Sequence, residues 1–232
     1  MSKRKLTRDE VTLFPPFLIK VFDLFSASNK EIYLVGAGVR AILSGKAPVN
    51  CDLTTNATPQ ETLEIMKDFE PFYENDFGMV GVPVGEEIYE ITTYRSEKGY
   101  SDFRRPDEVT WGKTIEEDVV RRDFTMNAVL VDINEVIDIV GGIEDFDNGI
   151  IRTVGDPEIR FGEDALRMMR AIRFASTLGF VIESKTLAAI SLKASLLSKI
   201  SRERVRDELL KIIGSDYPAE GVRLLINTGL ME

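Results

Sequence analysis

An α/β unit over residues 1–150 followed by an all-helical unit over residues 151–232 is the fold class this chain predicts. Two observations carry it. Short apolar runs alternate with helical patterns as far as about residue 150. Beyond residues 149–156 the apolar period is helical almost to the end, with no strong strand pattern.

The elements follow in order. Pro15 and Pro16 lead into an amphipathic helix over 17–25. Residues 31–35 read as a strand, and a helix starts at 39–43. Thr58 suits the N-cap of a helix over 59–69, with Pro59 at its first position and Glu61 three residues after the cap. Strands over 78–84 and 88–94 meet at Gly85. Residues 96–112 are polar and carry Gly99, Pro106 and Gly112 without a clear period, which reads as a mobile loop. Residues 114–122 look helical, and two short strands (128–131 and 136–140) flank Asn134. Helices are expected over 163–178, 184–194, 201–213 and 218–227.

Composition narrows the chemistry. The chain has 232 residues, 44% hydrophobic and 29% charged, the balance of an ordinary globular protein. No apolar run reaches the roughly 20 residues of a membrane span, and the basic N-terminus leads into no secretory core, so no membrane partner is expected. The one cysteine, Cys51, excludes an internal disulfide, and a cytoplasmic location is the expectation. The absence of histidine removes histidine-based nucleophilic sites and imidazole-ligated zinc. A net charge of −10 argues against a general nucleic-acid binder.

Four groups of residues carry chemistry. In GAGVRAILSGKAPVNCD, residues 36–52, the small turn Gly36-Ala37-Gly38 lets backbone N–H groups approach phosphate oxygens at the start of a helix. Arg40 adds a fork of donors. On a strand opening at residue 50, Asn50 and Asp52 face one side and Cys51 turns into the sheet. Two acidic groups so placed hold Mg²⁺ against a polyphosphate; here one of the two is an amide. Glu90 shares a strand face with Thr92 and Tyr94. It is a further carboxylate at that site if its strand lies beside residues 50–53, and otherwise a solvent-facing group on an edge strand.

The third group is EDVVRRDFTMNA, residues 117–128. On a helix Arg121 and Arg122 diverge by roughly 100°, so only one easily reaches a given ligand. Asp123 could orient its neighbour and Asn127 could hydrogen-bond backbone or sugar; a charged helix end is the alternative. The fourth is EDALRMMRAIRF, residues 163–174. Spacing by three places Asp164, Arg167, Arg170 and Arg173 on a slowly turning ridge of one helix. Arginines suit phosphates, and an Asp–Arg pair offers an acceptor and donors to a base edge.

Together these motifs resemble the class II tRNA nucleotidyltransferases, the CCA-adding enzymes, with the bacterial poly(A) polymerases as relatives. The resemblance runs in order through LVGAGVRAILSGKAPVNCDLTTNATPQE, EITTYRSEKGYSDFRRPDEV, EEDVVRRDFTMNA, IDIVGGIEDFDNGIIRTVGDP and RFGEDALRMMRAIRFASTLGF, covering nearly all of residues 30–232. It implies a mixed-sheet nucleotidyltransferase head (1–150) and a helical neck that selects the nucleotide (151–232). It implies template-independent addition of C and A to a tRNA 3′ end, from CTP and ATP with two Mg²⁺.

By the same resemblance, Asn50 and Asp52 stand at the metal-binding aspartate pair and Glu90 at the third carboxylate. Gly36, Ala37, Arg40 and Arg121 would contact the nucleotide. Asp164 and Arg167 would read the incoming base, with Arg170 and Arg173 as further nucleotide contacts. Residues 96–112 would assist the switch from C to A addition.

The chain departs from the family pattern at four places. Ala37 replaces a glycine, where a positive φ would strain it. Ala41 replaces a carboxylate that would steady Arg40. Asn50 replaces a metal aspartate, so reduced transfer is expected. The sequence stops within or just after the expected neck, so counterparts of the family's body and tail domains are not expected within residues 1–232. Poly(A) addition, partial CC- or A-addition, and nucleotide or RNA binding without transfer remain as alternatives.

Overall fold

A computed structural model of the chain describes residues 1–49, 51–75, 78–100, 108–112 and 114–231. The chain divides into two compact units. One comprises residues 1–96, 109–122 and 127–142; the other comprises residues 97–108, 123–126 and 143–232.

The first unit is built on one mixed sheet. Its elements begin with β1 (Ser2–Lys5), α1 (Arg8–Thr12), α2 (Pro16–Ala27), β2 (Ile32–Val35) and α3 (Ala37–Leu43). They continue with β3 (Asp52–Thr55), α4 (Pro59–Ile65), β4 (Phe72–Asn75), β5 (Met79–Val84) and β6 (Glu87–Thr93). After β7 (Arg95–Lys98) and β8 (Glu108–Trp111) come α5 (Ile115–Val120), β9 (Leu130–Val131) and β10 (Glu135–Asp138). Eight strands pair in the order β1-β10-β9-β2-β3-β6-β5-β4. Every described pairing in this sheet is antiparallel except β3 with β6.

Local signals explain these elements. Thr58 accepts the N–H of Glu61 while the Glu61 carboxylate accepts the N–H of Thr58, closing the expected capping box of α4. Leu18, Val21, Phe22 and Phe25 bury the inner face of α2, at helical spacing. Leu34, Leu53, Val80, Val82 and Ile91 are buried on the strands.

Two expectations are corrected here. Residues 96–112 are not structureless at their ends: β7 and β8 pair as a separate two-stranded sheet, and the Gly112 N–H donates to the Tyr94 carbonyl at 2.7 Å. Residues 101–107 of that expected loop lie outside the described residues. Tyr94, expected beside Glu90, follows the end of β6 and is fully buried, with its hydroxyl donating to Glu31.

The second unit is largely helical. Its elements are α6 (Gly142–Asp147), which starts at the division, β11 (Ile150–Ile151), α7 (Pro157–Glu163), α8 (Leu166–Leu178), β12 (Val181–Ile182), α9 (Ser184–Lys193), α10 (Arg202–Ile213) and α11 (Pro218–Asn227). The two short strands form a parallel pair that periodicity did not reveal. The expected helix over 163–178 is instead two helices broken at Asp164 and Ala165. The buried core joins Phe161, Met168, Ile172, Ile190, Ile212 and Leu225 to Phe124 and Met126. No described helix is long and apolar enough to cross a membrane.

Helix α11 approaches closely at Gly221. A Cβ there would stand 2.5 Å from Ile212 Cγ2 and 2.9 Å from Ser176 Cβ, so the three helices meet only around a hydrogen atom. Gly221→Ala is expected to destabilise the helical unit by about 1–3 kcal/mol through overpacking, read as a lower urea midpoint by circular dichroism.

Candidate active site

One group of candidate residues forms where β2 turns into α3. Gly36 adopts φ 65° and ψ −125°, a conformation open to glycine and strained for other residues. Ala37 is the first residue of α3 and lies outside the positive-φ region, so the strain expected at Ala37 is absent. The turn packs against the acid beyond it: a Cβ on Gly36 would lie 3.6 Å from Asp52 Oδ2.

Asp52 opens β3 and is the parallel register partner of Glu90 on β6. Directly paired residues of a parallel ladder share a face, so the two carboxylates stand side by side. β6 lies between β3 and β5, which rules out the edge-strand reading of Glu90. Asp52 is exposed and Glu90 half-buried, whereas the flanking Cys51, Leu53 and Ile91 are buried. Burial pushes the Cys51 thiol up to about 11, so it stays neutral and packs as a small apolar residue. Two adjacent carboxylates facing solvent are a hard-oxygen donor set that suits Mg²⁺. No group of three or more acid, histidine or cysteine residues able to hold a metal occurs among the described residues, and Asn50 lies outside them.

Arg40, one turn into α3, donates from Nη1 to Asn127 Oδ1. The Asn127 amide thus steadies the guanidinium.

Arg121 and Arg122 do not diverge. Helix α5 ends at Val120, and Arg121 is its C-cap. Both guanidiniums turn back onto Asp118, Arg121 from Nε at 2.9 Å and Arg122 from Nε at 3.1 Å, one on each carboxylate oxygen. Asp118 has no exposed surface. Burial would raise its pKa, but Arg122 and Arg121 outweigh that and hold the carboxyl at about 2. The sequence marks Asp118 only as an acid three and four residues before two arginines.

A second group of candidate residues lies in the helical unit. The expected ridge of one aspartate and three arginines is corrected. Asp164 is not on the arginine helix. It caps α7 in extended conformation (φ −135°, ψ 104°), and its Oδ1 accepts the Leu166 N–H at 3.0 Å. The arginines do lie along α8, but each meets a different acid. Arg167 donates to Glu163 at 2.8 Å, Arg170 to Asp123 from Nε at 2.9 Å, and Arg173 to Glu208 at 2.6 Å. Asp123 thus orients Arg170, 47 residues away. Its backbone carbonyl also accepts from Val154, which folds residues 123–126 into this unit.

The Asp118 cluster yields a pH prediction. Its native pKa of about 2 lies below the ordinary carboxylate value, so the ionised group stabilises the fold above about pH 4. That contribution is lost as pH falls from about 4 through about 2. Asp118→Asn is expected to lower the unfolding midpoint at pH 7, with the gap to wild type narrowing at pH 3, measured by urea denaturation at both pH values.

Comparison with known proteins matches this geometry to a family. Residues 32–152 match the poly(A) polymerase head domain, and residues 179–232 match a probable RNA- and SrmB-binding site of polymerase A. A CCA-adding enzyme of Lactobacillus helveticus is 43% identical over 228 residues, 96% of this chain and 57% of that protein. One of Enterococcus faecalis is 48% identical over 189 residues, 81% of this chain and 46% of that protein. Among solved structures, the Bacillus stearothermophilus CCA-adding enzyme in complex with CTP superposes with a TM-score of 0.81 at 37% identity, covering 97% of this chain and 53% of that one. The Thermotoga maritima CCA-adding enzyme complexed with tRNA superposes with a TM-score of 0.84 at 26% identity, covering 100% of this chain and 56% of that one. The chain thus spans about half the length of the relatives it matches. It belongs to the tRNA nucleotidyltransferase and poly(A) polymerase family, of which it matches the head domain and the RNA-binding region.

Proposed function

We propose that this chain is a template-independent RNA nucleotidyltransferase of the CCA-adding type, joining C and A to the 3′ end of tRNA from CTP and ATP. The observation that carries the reading is the pairing of Asp52 with Glu90 across β3 and β6, beside the turn at Gly36. The relatives solved with CTP and with tRNA support it.

The roles follow from charge. Asp52 and Glu90, with Asn50, would hold Mg²⁺, which when bound neutralises a triphosphate and activates a 3′ hydroxyl. Gly36 keeps side-chain bulk away from the Asp52 carboxylate. Arg40, steadied by Asn127, and Arg121, gripped by Asp118, present oriented cations to the nucleotide. We assign the head to residues 1–150 and the nucleotide-selecting neck to residues 151–232. In the neck, Asp164 accepts from the base edge and Arg167 donates to it. Arg170 and Arg173, each matched by an acid, contact the nucleotide from a fixed frame.

Asn50 favours a second reading, in which the chain binds nucleotide but does not transfer it. An amide oxygen brings no charge to a hard cation. The two readings separate in one assay on tRNA lacking its terminal CCA, with each triphosphate supplied separately and with Mg²⁺ or Mn²⁺. The proposed function predicts C and A incorporation that Asn50→Asp increases. It also predicts a loss on the order of a hundredfold or more for Asp52→Asn or Glu90→Gln. No incorporation by wild type, with activity appearing in Asn50→Asp, supports the binding-only reading. A ladder of many A residues from ATP alone indicates poly(A) synthesis instead.

A further inference from the structure

Helix α10 lies outside every motif that carries the functional reading, yet two of its side chains reach the acids and bases of the neck. Arg204 donates from Nη2 to Asp164 Oδ2 at 3.2 Å, across 40 residues of sequence. One turn further along, Glu208 is buried and accepts from Arg173 Nε at 2.6 Å. Positions i and i+4 of α10 therefore hold Asp164 and the arginine helix at once.

The two bonds to Asp164 leave its carboxylate little freedom. Oδ1 is engaged by the Leu166 N–H and Oδ2 by Arg204, so both oxygens are oriented from fixed points in the fold. Asp164 keeps 16% of its side-chain surface and Arg204 keeps 25%. The Nη1 of Arg204 is buried without a hydrogen-bond partner among the described residues.

We propose that Arg204 is a positioning residue that sets nucleotide choice by holding the Asp164 carboxylate in one orientation. The proposal rests on the reading above that Asp164 meets the base edge. A carboxylate only accepts hydrogen bonds. The amino groups of cytosine and adenine can donate to it, whereas uracil and guanine present carbonyl oxygens at the corresponding place and are repelled. That discrimination holds only while the carboxylate keeps its direction. Release of Oδ2 lets it rotate, and the advantage of the amino bases over the carbonyl bases declines.

The test is equilibrium binding of CTP, ATP, UTP and GTP, each alone, to the wild-type chain and to Arg204→Met and Arg204→Lys, by isothermal titration. Binding is informative whether or not Asn50 permits transfer. Wild type is expected to bind CTP and ATP about tenfold or more tighter than UTP and GTP. Arg204→Met is expected to bring that ratio within about threefold, and Arg204→Lys to fall between. Arg206→Met, which alters an exposed cation on the same helix, is expected to keep the wild-type ratio. A folded Arg204→Met that retains the wild-type ratio overturns the role of Arg204 alone. If the methionine variant does not fold, a lysine variant with the full wild-type ratio overturns it equally. Equal binding of all four triphosphates by wild type overturns the reading of Asp164, and the role of Arg204 with it.

Discussion

The parallel pairing of β3 with β6 is the constraint on which the candidate chemistry depends. In a sheet otherwise antiparallel in its described pairings, this ladder inserts a strand from later in the chain beside β3 and sets Glu90 level with Asp52. A shift by one residue would turn Glu90 to the other face and bring Ile91 beside Asp52. Buried Leu53 and Ile91 oppose such a slip, because it would expose an apolar pair and bury a carboxylate. Core packing and site geometry are thus one requirement: the residues that keep the ladder in register also keep the acids together.

The cationic groups follow a second rule, in which each guanidinium is fixed before any ligand arrives. Asp118 grips two arginines, Asn127 grips Arg40, and Glu163, Asp123 and Glu208 grip the three arginines of α8. Fixing long side chains in advance removes the rotamer entropy that a ligand would otherwise have to overcome.

What the sequence made legible was local. Helix α2, the capping box at Thr58, the β5–β6 pair and α11 follow from signals within a few residues, and Pro218 and Asn227 bound α11 as expected. Pairings remote in sequence were not legible. Strand β1 gains its partner from β10, more than 130 residues away, and its own residues SKRK carry no strand pattern. β7 and β8 likewise find each other across a polar stretch. The break at Asp164 was hidden because an apolar period can run through a short kink without losing phase. Asp118 was missed because an acid near two arginines reads as surface charge until the fold shows it has no exposed surface. The motif series singled out Arg40 and Asp164 as candidates, but their contacts with Asn127 and Arg204 emerge only from the fold.

The central claim is that Asp52 and Glu90 together hold a divalent cation against a nucleotide. Electron paramagnetic resonance of Mn²⁺, titrated with the chain in the presence of CTP, tests it most directly. The account predicts a bound Mn²⁺ signal for wild type that weakens at least about tenfold in affinity in Glu90→Gln while the variant stays folded. Unchanged Mn²⁺ affinity in a folded Glu90→Gln would contradict it.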